Sequence, residues 1–221
     1  VCLTSHDSYD DEYVVWLYTA PDGVAGPDDL SGYDPIGEDE FDVGVEAFDD
    51  EGEMLHAFVE YLRETDPDVL TGWNFEDFDM PYLIDRIDRL VDDGAVDPDV
   101  LQSDHLSRVD EVWDSGWGGP NVKGRVVFDL LYAYKRRQFT ELESYRLDAV
   151  GETELGVGKE RYTGDIGDLW EDDPERLLEY NLRDVELCVE LNAQQDIIPF
   201  WQEVASFVGC KIEDATTPGD A

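Results

Sequence analysis

A phenol and a carboxylate share one face of the longest helix that the sequence predicts, residues 173–194. Apolar side chains recur at helical spacing along this stretch, and Asp184 falls within the row that they form. Tyr180 precedes Asp184 by four residues, so the two side chains lie one turn apart on the same face. Such a pair can hold a metal ion and orient a water molecule. The alternative is a solvated aspartate on the surface of an acidic protein, and composition alone favours that alternative.

A second polar cluster follows a short buried strand predicted at residues 69–73. Asn74, Asp77 and Asp79 come directly after this strand, and ligands of α/β folds usually bind beyond the carboxyl ends of strands. Asp79 also stands at the beginning of a predicted helix, where aspartate is a common N-cap. The sequence leaves both the capping role and the binding role of Asp79 open.

The elements that must position these groups alternate between strands and helices. Strands are predicted at residues 1–6, 12–19, 41–48, 69–73 and 124–131, the first two as a hairpin. Helices are predicted at residues 51–64, 79–91, 144–155, 173–194 and 199–208, with a loop at 21–40. This order predicts an α/β domain whose mixed sheet is flanked by helices.

The charge balance is the most unusual feature of the composition. Asp and Glu number 56 and Lys and Arg number 15, which gives a formal net charge of −41. A disordered acidic chain is poor in aromatic residues, whereas 12% of this chain is aromatic. We therefore expect a folded domain from a salt-loving cell, because molar salt shortens the Debye length to about 3 Å and screens self-repulsion. An acidic mimic of nucleic acid stays an alternative.

The cysteine content and the hydropathy of the sequence bear on its cellular compartment and on the kinds of site it can contain. The three cysteines form no CxxC pattern, which argues against a disulfide framework and a structural zinc site. A reducing cytoplasm is the expected location. No run of about 18 apolar residues occurs, so no membrane partner is expected.

Basic residues are rare but concentrated in one segment. Residues 123–137 contain Lys123, Arg125, Lys135, Arg136 and Arg137, five of the fifteen basic residues. These side chains form either ordinary salt bridges or a strip that faces DNA.

Two motifs resemble those of the proofreading exonuclease domain of family B DNA polymerases. The spacing Asn74-x-x-x-Phe78-Asp79 is similar to the second exonuclease motif of that family, and Tyr180-x-x-x-Asp184 is similar to the third. Either motif alone is a weak signal, and their occurrence in family order strengthens the resemblance.

Two further elements lie between these motifs. Residues 124–130 resemble the strand that the family places before a basic helix, and residues 159–162 resemble its lysine-containing element. The resemblance covers residues 1–213, which we predict to be one exonuclease domain. Residues 214–221 are predicted to be a polar tail leading toward a polymerase palm.

The resemblance implies a ribonuclease-H-like fold that removes a mismatched 3′ nucleotide with two divalent ions, Mg²⁺ or Mn²⁺. Asp79 and Asp184 match metal ligands of the family, and Tyr180 matches the tyrosine that positions the attacking water. Lys159 matches a lysine near the scissile phosphate. The absence of a histidine or cysteine pattern is expected, because hard cations prefer carboxylate oxygens.

Substrate contacts follow from the same resemblance and from residue chemistry. Asn74 and Phe78 match family residues near the terminal nucleotide. Phe75 is a further candidate because bases stack on aromatic rings, and Arg136 and Arg137 are candidates through their charge. The implied partners are the 3′ end of single-stranded DNA and the palm and N-terminal domains of a parent polymerase.

The family's first motif, Asp-x-Glu on the opening strand, has no match in this chain. We therefore expect the first strand of the fold to be missing and the metal site to be incomplete. We expect this chain alone to cleave DNA weakly or not at all.

Two other functions stay open. One is a stand-alone nuclease of the same fold, although the context Gly72-Trp73-Asn74 favours the polymerase family. The other is a non-catalytic acidic interaction domain, in which the carboxylates would be spread over the surface.

Overall fold

The computed structural model describes residues 2–37, 41–114, 116, 118–138, 141–158 and 166–216. The chain divides into two compact units. Unit 1 consists of Val1–Phe58 and Leu147–Val189, and unit 2 consists of Val59–Arg146 and Glu190–Ala221. None of the described helices is long and apolar enough to cross a membrane. The prediction of one domain over residues 1–213 stays a prediction.

The strands and helices confirm the α/β class. The strands are β1 (Cys2–Asp7), β2 (Glu12–Tyr18), β3 (Val43–Phe48), β4 (Val69–Gly72), β5 (Val112–Asp114), β6 (Pro120–Val122) and β7 (Val126–Asp129). The helices are α1 (Glu51–Thr65), α2 (Met80–Asp92), α3 (Leu130–Arg137), α4 (Leu147–Glu154), α5 (Ile166–Asp172), α6 (Pro174–Gln195), α7 (Ile197–Val208) and α8 (Ile212–Ala215). The described strands form three separate sheets instead of the single mixed sheet that the sequence predicted.

Unit 1 is built on a three-stranded mixed sheet. β1 pairs with β2 in antiparallel orientation and β2 pairs with β3 in parallel orientation, which confirms the predicted hairpin. The central strand β2 buries every residue from Tyr13 to Leu17. A continuous apolar run is expected there, because both faces of this strand are covered.

The core of unit 1 joins β2 to α6. Its buried members are Tyr13, Val15, Leu17, Leu30, Leu178 and Leu182. The predicted beginning of α6 is confirmed, since Asp173 Oδ1 accepts a hydrogen bond of 3.2 Å from Arg176 N and Pro174 occupies the first helical position. This packing fixes the rotation of α6 about its axis.

Unit 2 contains a pair of parallel strands that end at the same edge. β4 pairs with β7, and Gly72 lies opposite Asp129 at the carboxyl end of the pair. The Thr71 hydroxyl donates a 2.6 Å hydrogen bond to Phe128 O and joins the same two strand ends. The residues that follow β4 and β7 therefore start from neighbouring points.

Of the two roles left open for the basic segment, Arg125 has the structural one, because it is a buried residue of unit 2. Its side chain is 1% exposed. The guanidinium donates to the carbonyls of Leu62, Pro67 and Leu106 at 3.1, 2.7 and 3.1 Å. It also pairs with Asp66 Oδ1 at 3.1 Å. Arg125 thereby ties the end of α1, the segment before β4 and a short 3₁₀ turn to the beginning of β7.

Three short helices depart from the sequence predictions. α4 begins at Leu147, three residues later than the predicted 144, and α5 was not predicted. α8 begins at Ile212 and ends at Ala215, inside the stretch predicted to be a polar tail. Segments of four to eight residues give too few apolar repeats for periodicity to identify them.

Candidate functional site

The chain follows an uncommon path directly after β4. Asn74 adopts a left-handed conformation with φ 64° and ψ 30°, and Phe75–Asp79 form one π-helical turn that continues into α2. We call residues 74–79 the π turn. Left-handed backbone is unfavourable for most residues and asparagine is among those that tolerate it. π-Helical turns are rare and frequently lie at functional sites.

The π turn brings together four of the predicted site residues: Asn74, Phe75, Phe78 and Asp79. Asp79 does not cap α2, because its backbone is already helical, with φ −67° and ψ −46°. Among the described residues, its side chain makes no capping hydrogen bond. The π turn supplies the first turn of helix instead, and the exposed Asp79 carboxylate is compatible with a binding role.

Two aromatic rings stand side by side at the surface of this segment. Phe78 is 62% exposed and Tyr82 is 46% exposed. Their ring centroids are 6.2 Å apart and the rings are inclined by only 9°. Phe75 is half-buried, with its ring close to Gly72. Tyr82 was missed as a site residue, although an aromatic pair at i and i+4 on a helix is a recognisable signal.

Asp129 connects the π turn to the beginning of α3. Its carboxylate is 2% exposed. Oδ1 accepts from Leu131 N at 2.8 Å and Tyr132 N at 3.3 Å, and Oδ2 accepts from Glu76 N at 3.0 Å. Burial raises the pKa of Asp129, and the surrounding N–H donors oppose that shift. One buried carboxylate thus serves two segments of the chain.

Glu76 lies between several acidic and polar neighbours. Burial, with the carboxylates of Asp129 and Asp77, raises the pKa of Glu76 from 4.5 to about 7, and the Gly119 N–H opposes the shift. A Cβ atom on Gly119 would lie only 2.7 Å from Glu76 Cβ, so this contact requires glycine. The Tyr132 hydroxyl donates to Asp77 Oδ2, which is the main reason that the pKa of Tyr132 rises to about 12.

Substituting Glu76 by glutamine is expected to change the pH dependence of stability. Because folding raises the pKa of Glu76, its contribution to stability is fully present below pH 4.5 and is lost as pH rises through about 7. Glutamine cannot ionise, so we expect Glu76→Gln to gain ~1–2 kcal/mol relative to the wild type between these pH values, after allowance for solvent screening. Denaturant unfolding at pH 5 and pH 8 measures this difference. Glu60→Gln on α1 is the exposed control, and an equal response of both variants to pH would contradict the expectation.

The basic residues of α3 are in part engaged in packing. Lys135 lies 4.8 Å from the centroid of the Tyr145 ring, and Arg137 lies 4.7 Å from that of Phe200. Arg137 also donates to Gln195 O. Arg136 is exposed. A DNA contact through Arg136 or Arg137 stays a prediction, and Arg136 has the more accessible charge.

α6 carries Tyr180 and Asp184 in unit 1. Both side chains are partly buried and lie one turn apart on the helix. The hydroxyl of Thr4 on β1 donates a 2.6 Å hydrogen bond to Asn181 Oδ1, which links the sheet to the residue after Tyr180. The sheet and the core packing of α6 together define where this face of the helix points.

A buried carboxylate attaches a loop to the same helix. Glu186 is 1% exposed and accepts from the Tyr33 hydroxyl at 2.5 Å, Ile36 N at 2.6 Å and Arg183 Nη1 at 3.1 Å. Arg183 also donates to Asp34 O and lies over the Tyr33 ring. Burial and the bond to Glu186 raise the pKa of Tyr33, which keeps it a neutral donor. Glu186 therefore has a structural role in holding residues 33–36 against α6.

The predicted site residue Lys159 lies outside the described residues. Within the described part of the chain, no group of three or more His, Cys, Asp or Glu side chains is arranged to hold a metal ion. The donor chemistry of Asp79, Asp184 and Tyr180 nevertheless suits hard divalent cations, which prefer oxygen ligands.

Comparison with known proteins identifies similar sequences. The pattern of the family described as DNA polymerase family B, exonuclease domain, matches residues 21–150. The chain is 29% identical to a DNA-directed DNA polymerase of Escherichia phage RB69, over 98% of this chain and 25% of that protein. It is 30% identical to the DNA-directed DNA polymerase of Enterobacteria phage T4, over 83% of this chain and 22% of that protein.

An archaeal relative is likewise matched over only a small part of its own length. The chain is 30% identical to a DNA polymerase of Pyrococcus glycovorans, over 78% of this chain and 21% of that protein. The chain therefore spans a quarter or less of the length of these curated relatives.

Proposed function

Because the chain belongs to the exonuclease domain family of family B DNA polymerases, we propose that it is the 3′→5′ proofreading module of a longer polymerase. Its substrate is the 3′ end of single-stranded DNA, and the reaction is hydrolysis of the terminal phosphodiester. Its partners are the palm and N-terminal domains of the parent chain, and its fold is of the ribonuclease-H-like type.

One structural observation supports the proposal most directly. The π turn places the exposed ring of Phe78 and the exposed carboxylate of Asp79 at the carboxyl edge of the parallel pair β4 and β7. That edge is where α/β folds usually bind ligands. The turn thus joins a group that can stack on a base to a group that can bind a cation.

The chemistry of the donor set fits magnesium or manganese. Asp79 in unit 2 and Asp184 in unit 1 are each proposed as a metal ligand, on the strength of the motif to which each belongs. When bound, divalent ions supply charge neutralisation at the phosphate and favour ionisation of the attacking water. Carboxylates are suitable ligands for such hard cations.

The other site residues bind and orient the reactants. Tyr180 is proposed to hold the attacking water through its hydroxyl, and Lys159 to contact the scissile phosphate. Phe78 and its stacked neighbour Tyr82 are proposed to hold the terminal bases, since base–aromatic stacking contributes roughly 1–3 kcal/mol per base. Asn74 is proposed as a hydrogen-bonding contact to the terminal nucleotide, and Arg136 as a contact to the DNA backbone.

Stacking is expected to matter more here than charge attraction. The net charge of −41 repels the DNA backbone, and in molar salt the release of counterions adds little to binding. Recognition of an unpaired end by aromatic rings is compatible with both conditions.

The direction and metal dependence of the reaction test the proposal. The full-length protein is incubated in molar KCl with single-stranded oligonucleotides labelled at the 5′ or the 3′ end, with Mg²⁺, Mn²⁺ or EDTA. We expect the 5′-labelled strand to shorten one nucleotide at a time and the 3′ label to appear first as a mononucleotide. We expect EDTA to stop both reactions.

Other outcomes separate the competing functions. Degradation of RNA in preference to DNA would favour a stand-alone nuclease of the same fold. A well-folded full-length protein that extends primers but removes no 3′ nucleotide would favour a non-catalytic domain. The isolated chain, assayed in parallel, tests our expectation that it is impaired.

A further inference from the structure

The π turn is an unfavourable local structure that other parts of unit 2 must hold in place. Its first residue, Asn74, has left-handed backbone, and the five residues that follow form a π-helical turn. Both conformations are uncommon in isolation, and such geometry persists only when surrounding contacts determine it. The contacts that hold the turn therefore bear on the positions of Phe78 and Asp79.

Two of these contacts come from the beginning of α3. The buried Asp129 carboxylate accepts from Glu76 N in the middle of the turn while it caps α3 through Leu131 N and Tyr132 N. The Tyr132 hydroxyl, on the first turn of α3, donates to the carboxylate of Asp77. The beginning of one short helix, α3, thus holds both the backbone N–H of Glu76 and the side chain of Asp77.

A third contact supports the turn from the hairpin of β5 and β6. Gly119, one residue before β6, lies against Glu76 with no room for a side chain, and its N–H donates to the Glu76 carboxylate. Contacts from α3 and from the hairpin therefore meet at Glu76, three residues before Asp79.

We propose that Asp129 and Tyr132 are positioning residues for excision, because they hold the π turn in the conformation that presents Asp79 and Phe78 to the 3′ end. This inference rests on the proposed exonuclease function. Asp129 is buried and the Tyr132 hydroxyl donates to Asp77, so both are proposed to act through the turn and not as catalytic residues.

Asp129→Asn is the sharpest test, because it removes an acceptor of the π turn's backbone N–H groups at nearly constant volume. Asparagine is a good N-cap and its single side-chain oxygen can still cap α3. Its amide group is a donor and cannot accept from Glu76 N. We expect kcat for excision of a single-stranded 3′ end to fall roughly 10- to 100-fold, as is typical when a supporting residue behind a metal ligand is removed. We expect KM to change by less than the fall in kcat.

Tyr132→Phe is the second variant and keeps the ring, so its folding is not at risk. It removes only the hydroxyl that donates to Asp77, and we expect a fall in kcat that is smaller than that of Asp129→Asn. Asp50→Asn is the matched control. Asp50 accepts from Glu53 N at 3.0 Å at the beginning of α1, so the same chemical change is made at a helix without site residues.

Hydrogen exchange of the amides of residues 75–79 supplies a readout that does not depend on nuclease activity. We expect faster exchange of these amides in Asp129→Asn and wild-type exchange in Asp50→Asn. Unchanged exchange in Asp129→Asn would overturn the inference, and so would faster exchange with undiminished kcat. If the wild-type full-length protein removes no 3′ nucleotide, the proposed function fails, and the exchange result alone then decides whether Asp129 holds the turn.

Discussion

Replacing Asp184 by asparagine in the full-length protein is expected to reduce removal of the 3′ nucleotide by roughly 10³-fold or more, or about 4 kcal/mol of transition-state stabilisation. The change keeps the volume of the side chain but removes the negative charge that makes a carboxylate a strong ligand of a hard divalent cation. Asp79→Asn is expected to have an effect of the same order. Because Asp79 is exposed and its backbone is already helical, that substitution should alter the free energy of unfolding by only about 0.5 kcal/mol or less.

Combining the two substitutions is a more stringent test of the proposed roles of Asp79 and Asp184. Residues that serve one reaction as a unit are strongly non-additive, so Asp79→Asn combined with Asp184→Asn should lose little more activity than either single variant. Rates come from the shortening of a 5′-labelled single strand, and primer extension by the same preparations shows that the protein is folded. Asp88→Asn, an exposed aspartate of α2, is the control and should retain wild-type excision. Retention of more than a tenth of the wild-type rate by either single variant would remove that residue from the proposed ligands.

Local sequence patterns predicted most of the elements that carry these residues. The beginning of α6 followed from Asp173 and Pro174, whose chemistry determines a helix start without any distant partner. The β1–β2 hairpin and α1 followed in the same way from residue alternation and helical spacing. The sequence was therefore sufficient to predict that Tyr180 and Asp184 share one face of α6.

The π turn could not be predicted from local sequence patterns. An aspartate before Met80 and Pro81 predicts an N-cap, but the chain is already wound from Phe75 onward, and this alters the role of Asp79. The cause is not local, since Asp129 holds Glu76 across 53 positions of sequence. The position of Asp129 before the apolar start of α3 indicates an N-cap. Nothing in the local sequence indicates that its second carboxylate oxygen binds the π turn.

Arg125 is the second residue whose role depends on distant partners. In the sequence it is one of several basic residues before and within α3, and charge alone left open whether it forms salt bridges or faces DNA. The structure buries it against the carbonyls of Leu62, Pro67 and Leu106. Leu62 lies in the last turn of α1, and its carbonyl accepts from Asp66 N at 3.2 Å as well as from the guanidinium. No pattern around residue 125 indicates that carbonyl acceptors of three segments meet there.

Replacing Arg125 by methionine is expected to destabilise the protein by about 3–5 kcal/mol. Methionine fills much of the same volume, but it leaves the carbonyls of Leu62, Pro67 and Leu106 without the donors that the guanidinium provides. Burial lowers the pKa of Arg125, while Asp66 opposes that shift, and an arginine side chain stays charged in proteins. The expected loss is a large part of the roughly 5–15 kcal/mol that stabilises a typical domain.

Salt concentration distinguishes this buried role from a surface charge effect. Exposed ion pairs contribute about 0–1 kcal/mol and are screened in molar KCl, where the Debye length is about 3 Å. The pair of Arg89 with Asp85, 2.9 Å apart with both side chains more than half exposed, is of that kind. Arg89→Met is therefore the control and should cost little at any salt concentration. Denaturant unfolding at roughly 0.5 M and roughly 3 M KCl, where screening is strong and very strong, should give the same large loss for Arg125→Met. A loss that shrinks to the size of the Arg89→Met effect as KCl rises would mean that Arg125 acts through charge at the surface and not through the carbonyls that it binds.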